Sequence, residues 1–344
     1  MTTTDFPAFL QEQGARLAAG RCESFGQAEA ESGAFRSGAA LVPLLGMTPL
    51  RAGGADRLDF IHGQVSNEVK RLTEGQQNTS LLLNVKGHAL AQMRVCRRED
   101  DLYLAVEDGA GALVLDHFRR HIVFDQVELL DLTGTILSLT LQGPQASGVL
   151  QTVLDLGALE PGYSVQPPFA SAKLLVLPAQ RGEHGGYDLH VLAADASALF
   201  GALRRGGAVP AGEEALEASR IAAGIAKASS EGGEGVLPQE AGLDFAVSYR
   251  KGCYLGQEIM ARIEARGNVR RGLAGLRYEA APDPSDREVY LDGKAVGRRG
   301  HAVHHPDFGV IGLAVLRKDL GPSAQLAAGG VSARVTALPF SADG

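Results

Sequence analysis

Tryptophan is missing from the 344 residues, and cysteine occurs three times, at Cys22, Cys96 and Cys253. Cysteines so far apart exclude a close-spaced zinc or cluster framework and fit a reducing compartment, and their odd number leaves at least one thiol free. No apolar run approaches the length needed to span a bilayer, so no membrane association is expected. The start, Met1 to Phe6, has neither a basic stretch nor an apolar core nor a cleavage site, and a cytoplasmic location follows as the expectation. Nor is there an excess of positive charge: 33 basic against 40 acidic residues give −7, which argues against direct nucleic-acid binding. Arg250-Lys251, Arg270-Arg271 and Arg298-Arg299 are local basic exceptions. Internal repeats and low-complexity tails are also absent.

What is present suits a globular chain with more than one core. Its length exceeds what one core organises, so two or three domains are expected. Residues 1–36 alternate small and charged types and read as a poorly packed lead-in with one broken helix. Ala40 to Leu44 predicts an edge strand, because Pro43 cannot donate to a central ladder. A helix over Asp56 to His62 ends at Gly63 in this reading, and a further helical turn runs from Asn67 to Leu72. Strand-like runs at Leu81 to Leu83, Ala91 to Cys96 and Leu102 to Val106 precede a helix carrying Val114, Phe118 and Ile122. Strands at 136–141, 173–177 and 187–192 then mix with helices beginning at Pro144 and Asp195 and another bearing Leu216 and Arg220, without a regular βαβ period. The segment Ser229 to Gly235 has the composition of a mobile loop. Beyond about residue 270 the pattern is almost wholly β, with Asp292-Gly293 as a two-residue hairpin turn, and predicts a barrel or sandwich.

The chemistry concentrates in Tyr249-Arg250-Lys251-Gly252-Cys253-Tyr254-Leu255-Gly256-Gln257-Glu258-Ile259-Met260-Ala261-Arg262. Gly252 and Gly256 relax the backbone around Cys253, and Gln257 onward is free of helix breakers. The thiol is therefore expected at or just before a helix N-terminus, where adjacent cations and orphan amides favour thiolate. The same residues also describe a buried cysteine on a packed turn. His301, His304, His305 and Asp307 could be imagined as metal ligands, but His304-His305-Pro306-Asp307 reads as a polar turn between barrel strands.

As a whole, Lys251-Gly252-Cys253-Tyr254-x-Gly256-Gln257-Glu258 followed by Ala261-Arg262 resembles the signature of the YgfZ family of folate-binding proteins. That family comprises iron–sulfur maintenance factors related to the glycine-cleavage T-protein. The resemblance implies an α+β fold: a T-protein-like ring of two intertwined α+β lobes over 37–265, following the lead-in of 1–36, with a C-terminal β-barrel over 270–341. It also implies bound tetrahydrofolate or a derivative. Fainter echoes lie at Phe60 to Val69, including Asn67, at Leu83 to Ala89, at Gly182 to Leu189 and at Ser219 to Gly224. On this likeness Asp188, beside Tyr187, pairs with the pterin edge, and Arg220 or Lys251 meets the glutamate tail. Read without it, Asp188 is a solvent-facing strand acid and Arg220 a surface ion-pair partner.

One departure bears on function. The aminomethyl-transferring relatives carry paired acids on the strand after the equivalent of Gly87, whereas this strand reads Ala91-Gln92-Met93-Arg94. Without a carboxylate there is no general base or charge stabiliser, so aminomethyl transfer is disfavoured on a transferase-like fold. The resemblance then implies an accessory factor that assists assembly or repair of iron–sulfur client proteins. In it Cys253 is the active thiol, Lys251 tunes it, and Gly252, Tyr254, Gly256, Gln257, Glu258 and Arg262 support the loop. A folate-dependent aminomethyl or methyl transferase, and a ring used only as a protein docking surface, are the competing readings.

Overall fold

The computed structural model describes residues 5–267, 269–321 and 324–341. It divides the chain into two compact units, each assembled from three stretches: 1–58, 71–78 and 94–219 in the first, and 59–70, 79–93 and 220–344 in the second. The strands Gln77–Leu83 and Ala89–Arg97 carry the chain between units within a single strand each.

In the first unit the strands Leu175–Ala179, Gly186–Leu192, Ile136–Gln142, Ala40–Pro43 and Val209–Pro210 form one sheet in that order. The strand Ala40–Pro43 is therefore not at the edge. Val209 and Pro210 pair in parallel with Ala40 and Leu41 only, so the missing donor of Pro43 falls beyond that short pairing. Leu139, Leu141, Leu189 and Val191 from the sheet meet Val149, Leu150, Leu199 and Phe200 of the helices Ala146–Leu154 and Ala196–Arg205. The first 36 residues join this core, contrary to the expected poor packing. Phe6 and Leu10 of the helix Phe6–Glu12, Cys22 of a two-strand hairpin and Phe25 are all buried. The ring of Phe200 touches those of Phe6, Phe9 and Phe25. Those short elements hold because the aromatic side chains reach a distant helix, not because of local helix strength.

The second unit contains a closed barrel of six strands, beginning with Arg271–Tyr278 and ending with Val331–Thr336. Asp292-Gly293 forms its predicted hairpin turn, both residues at positive φ. His304 and His305 end the long strand Lys294–His305, and His305 stacks on Phe308 at 4.5 Å. Three local readings need correction. The helix Arg57–Gln64 continues through Gly63, and Asn67 to Leu72 is a bent segment without helix. The expected mobile loop is pinned: the carboxylate of Glu231 is buried and accepts from Arg220 at 2.9 Å and from the Lys227 amide at 2.9 Å. Glycine-rich composition set the expectation, but one buried ion pair decides the outcome. Among the described residues no helix is long and apolar enough to cross a membrane.

Candidate functional site

The signature stretch enters the second unit as a loop and becomes the helix Gln257–Arg266, so Cys253 lies just before a helix start as its neighbours predict. Gly256 occupies the cap position at φ +84°, and a Cβ there would stand 2.8 Å from the carbonyl oxygen of Asn84. Both the backbone angle and the close approach call for glycine. Gly87 shows the same fit from the facing turn, at φ +77°, where a Cβ would meet Met260 Cε at 2.7 Å. Two glycines thus allow the helix start and the turn after Leu83 to touch.

Lys251 is buried, and its Nζ donates to the main-chain carbonyls of His62, of Val65 at 2.5 Å and of Asn67 at 3.1 Å. It also lies 4.7 Å from the centre of the Tyr254 ring. The first carbonyl belongs to the last turn of the helix Arg57–Gln64 and the other two to the bend that follows it, so the lysine ties off that helix end from far along the chain. Burial pulls its pKa down to about 8, against the opposing influence of Glu68. Asn67 steadies the same bend: its Nδ2 donates to Thr79 O at 2.8 Å and its Oδ1 accepts from the Glu68 amide at 2.9 Å. Tyr254 is buried, and burial pushes its hydroxyl up to about 12.

Cys253 and Gly252 are exposed, in contrast to the other thiols. Cys22 and Cys96 are fully buried; burial, followed by Glu213 and Glu31, pushes Cys22 up to about 12, and burial raises Cys96. Gln257 is half-buried at the first helical position, while Glu258 and Arg262 form an exposed pair at 2.9 Å one turn apart. Gln92 faces the glutamate-pinned segment, its Oε1 accepting from the Ala228 amide at 3.2 Å.

Asp188 and Tyr187 lie side by side on a central strand of the first unit. Both oxygens of Asp188 are taken by Arg181, from Nε and from Nη2 at 2.7 Å each, and the same guanidinium donates to Glu107 at 2.9 and 3.0 Å. Burial opposes these charges, but the two carboxylates hold Arg181 protonated and Arg181 lowers the Asp188 carboxyl below its ordinary value. Arg94 lies in the same electrostatic neighbourhood and donates to Gln77 Oε1 at 3.1 Å. Tyr187 is buried in the core of that sheet. Arg220, in the second unit, is buried against Glu231. Asp188 and Arg220 are thus neither a solvent-facing acid nor a surface ion-pair partner: each is buried within its own unit.

The signature brings Lys251, Tyr254, Asn67 and the end of one helix into a single cluster beside Cys253. Sequence reasoning did not single out His62, Glu68, Arg181 or Glu107. His62 and Glu68 stand inside a quoted echo, and Arg181 directly precedes another, so position beside a motif was the available signal.

Residues 5–251 match the family model described as the GCVT N-terminal domain. Among curated relatives, an aminomethyltransferase of Halalkalibacterium halodurans is 28% identical over 86% of this chain and 83% of its own. A putative chloroplastic transferase of Arabidopsis thaliana is 27% identical over 81% of this chain, which spans 65% of that protein's length. The glycine cleavage system aminomethyltransferase T of Bartonella henselae superposes with a TM-score of 0.85 at 18% identity, over 98% of this chain and 97% of that one. At that identity the likeness establishes the fold, and it is the α+β, barrel-ended T-protein fold expected from the signature.

Proposed function

Because the chain belongs to the family of the GCVT N-terminal domain, we propose that it binds tetrahydrofolate or a derivative and acts as a thiol-bearing accessory factor for iron–sulfur proteins. The observation that carries this reading is the strand Ala89–Arg97, which has no carboxylate along its length and whose Gln92 is spent on the Ala228 amide. A neutral amide there supplies neither a general base nor a counter-charge for a reacting amine. The chemically available group is the exposed thiol of Cys253, a soft ligand and nucleophile suited to transient contact with sulfur or iron–sulfur species. Lys251 and Asn67 hold the bend at the end of the helix Arg57–Gln64, and Gly256 holds the thiol's loop against Asn84. In this reading Asp188 meets a pterin edge when Arg181 releases one of its oxygens, and Arg220 keeps its segment in place through Glu231.

The test is a calorimetric titration with tetrahydrofolate beside complementation of cells lacking the protein. Folate heat is expected in the wild type and in Cys253→Ala alike, with iron–sulfur enzyme activity restored only by the wild type. No heat from reduced folates removes the binding claim, and full rescue by Cys253→Ala removes the role of the thiol. The names of the aminomethyltransferase relatives favour a second reading, transfer of a one-carbon group to folate. Measurable aminomethyl transfer by the wild type would establish it instead.

A further inference from the structure

Arg270-Arg271, a basic pair already visible in the sequence, lies outside the thiol loop and leads into the barrel. Arg271 stands directly opposite Arg317 across the antiparallel strands Arg271–Tyr278 and Gly309–Arg317, so both side chains leave the same face. Like charges in that relation destabilise a sheet unless opposite charge lies beside them. Each is partly answered by a carboxylate. Arg271 donates from Nε to Glu240 Oε1 at 2.9 Å, and from Nη2 to Glu240 Oε2 at 2.6 Å and to the carbonyl of Gly235 at 2.5 Å. Arg317 holds Asp319 from Nε at 2.9 Å and from Nη2. Among the described residues neither Nη1 has an acceptor, and the exposed side chain of Arg270 has no partner. Three guanidiniums thus face two carboxylates.

The three arginines line a single cleft of about 410 Å³. Its lining also has an apolar part, the half-buried side chains of Leu237, Ile263 and Val269, of which the first two pack from behind on a core of the second unit. Among the described residues the one acid that lines it, Glu240, is 5% exposed, and its Oε2 also accepts from the Leu237 amide at 3.0 Å. Its oxygens are therefore spent inside the protein. We infer that this cleft binds a small organic anion, a phosphate or carboxylate group carried on an apolar body. The oxyanion accepts from Arg270 and from the unused Nη1 groups of Arg271 and Arg317, which relieves the repulsion across the strand pair, while the apolar body covers Leu237, Ile263 and Val269. Arg271, already held by its fork on Glu240, loses little further freedom when it binds. The volume lies at the lower end of the roughly 300–1,000 Å³ common to ligand sites, so a single-ring ligand suits it better than a dinucleotide.

The test is a titration of the full chain at pH 7 and low ionic strength, followed through backbone amide NMR shifts. Phenyl phosphate and benzoate are the probes, and inorganic phosphate is the control. Saturable shifts are expected in residues 237, 263, 269–271 and 317, with inorganic phosphate bound about tenfold more weakly because it leaves the apolar lining uncovered. Whichever of phenyl phosphate and benzoate binds more tightly identifies the oxyanion that the arginines prefer. Arg270→Gln, an exposed change that leaves both forked pairs intact, should weaken the aryl probes about tenfold, the worth of one charge-assisted hydrogen bond. Val269→Thr should weaken them less and leave inorganic phosphate unaffected. Absence of a saturable shift with either aryl probe overturns the site, as does undiminished affinity in a folded Arg270→Gln protein. Equally tight binding of inorganic phosphate overturns it too, leaving an adventitious ion only.

Discussion

Arg181 in the first unit and Lys251 in the second are both cations withdrawn from water, and they are compensated in opposite ways. Arg181 meets two carboxylates, Asp188 and Glu107, in a forked arrangement. Lys251 meets three neutral carbonyls and the face of a tyrosine. Two bonded carboxylates hold the first group in its charged state, whereas burial among carbonyl dipoles, only partly opposed by Glu68, leaves the second displaced toward neutrality, at about 8. A buried charge can thus serve as a permanent strut or as a titratable cap, and the partner's charge decides which.

The comparison is broken most severely by Arg181→Met, which strands two carboxylates. A loss of about 3–5 kcal/mol in chemical denaturation is expected. The sign of its pH dependence follows from Asp188, whose folded value lies below the ordinary 3.8. The advantage of the wild type is complete above that value and disappears as the pH falls through the lower folded one. Lys251→Met removes a cap but leaves no charge behind, and about 2–3 kcal/mol is expected at neutral pH. Here the dependence has the same sign but lies in the alkaline range. Between about 8 and 10.5 the unfolded chain holds a proton that the folded chain has released, so wild-type stability rises with pH across that window. Denaturation midpoints at pH 7.5 and 10 should show the gap between wild type and variant widening.

Gly256→Ala sharpens the contrast without touching any charge. Forcing a Cβ at positive φ toward Asn84 O should cost about 1–2 kcal/mol and loosen the turn before the helix, read as faster amide exchange in residues 254–260. The smallest effect belongs to Glu258→Gln, since its pair with Arg262 is exposed. A change of no more than about 0.5 kcal/mol is expected in thermal denaturation, and a larger one would give Glu258 a role beyond its helix.

Much of the architecture was legible where local chemistry is decisive. Asp292-Gly293 announced its hairpin, Gly256 and the breaker-free residues after it announced the helix, and the order of strands and helices followed from periodicity. What could not be read depends on partners distant in sequence. Phe6 and Phe25 look unremarkable until Phe200 is placed among them, and the glycine-rich stretch around Glu231 looks loose until Arg220 is known to face it. The site divides in the same way. The motif identified Lys251 and Cys253, but not that the lysine caps another helix or that His62 stands across from Gly252. A carboxylate such as Asp188 reads as a ligand contact in one dimension, and only the fold shows Arg181 already attached to it.

The interleaving of the two units sets a schedule for the nascent chain. Residues 59–70 and 79–93 leave the ribosome early, yet they belong with segments that begin at 220. The lysine that closes the carbonyls of His62 arrives 189 residues later, a delay of roughly 10–40 s at ordinary translation rates. During that interval Phe60, Ile61, Leu81 and Leu83, all buried in the finished protein, have no core of their own. Slow assembly and exposure to chaperones are therefore built into the order in which this polypeptide is made.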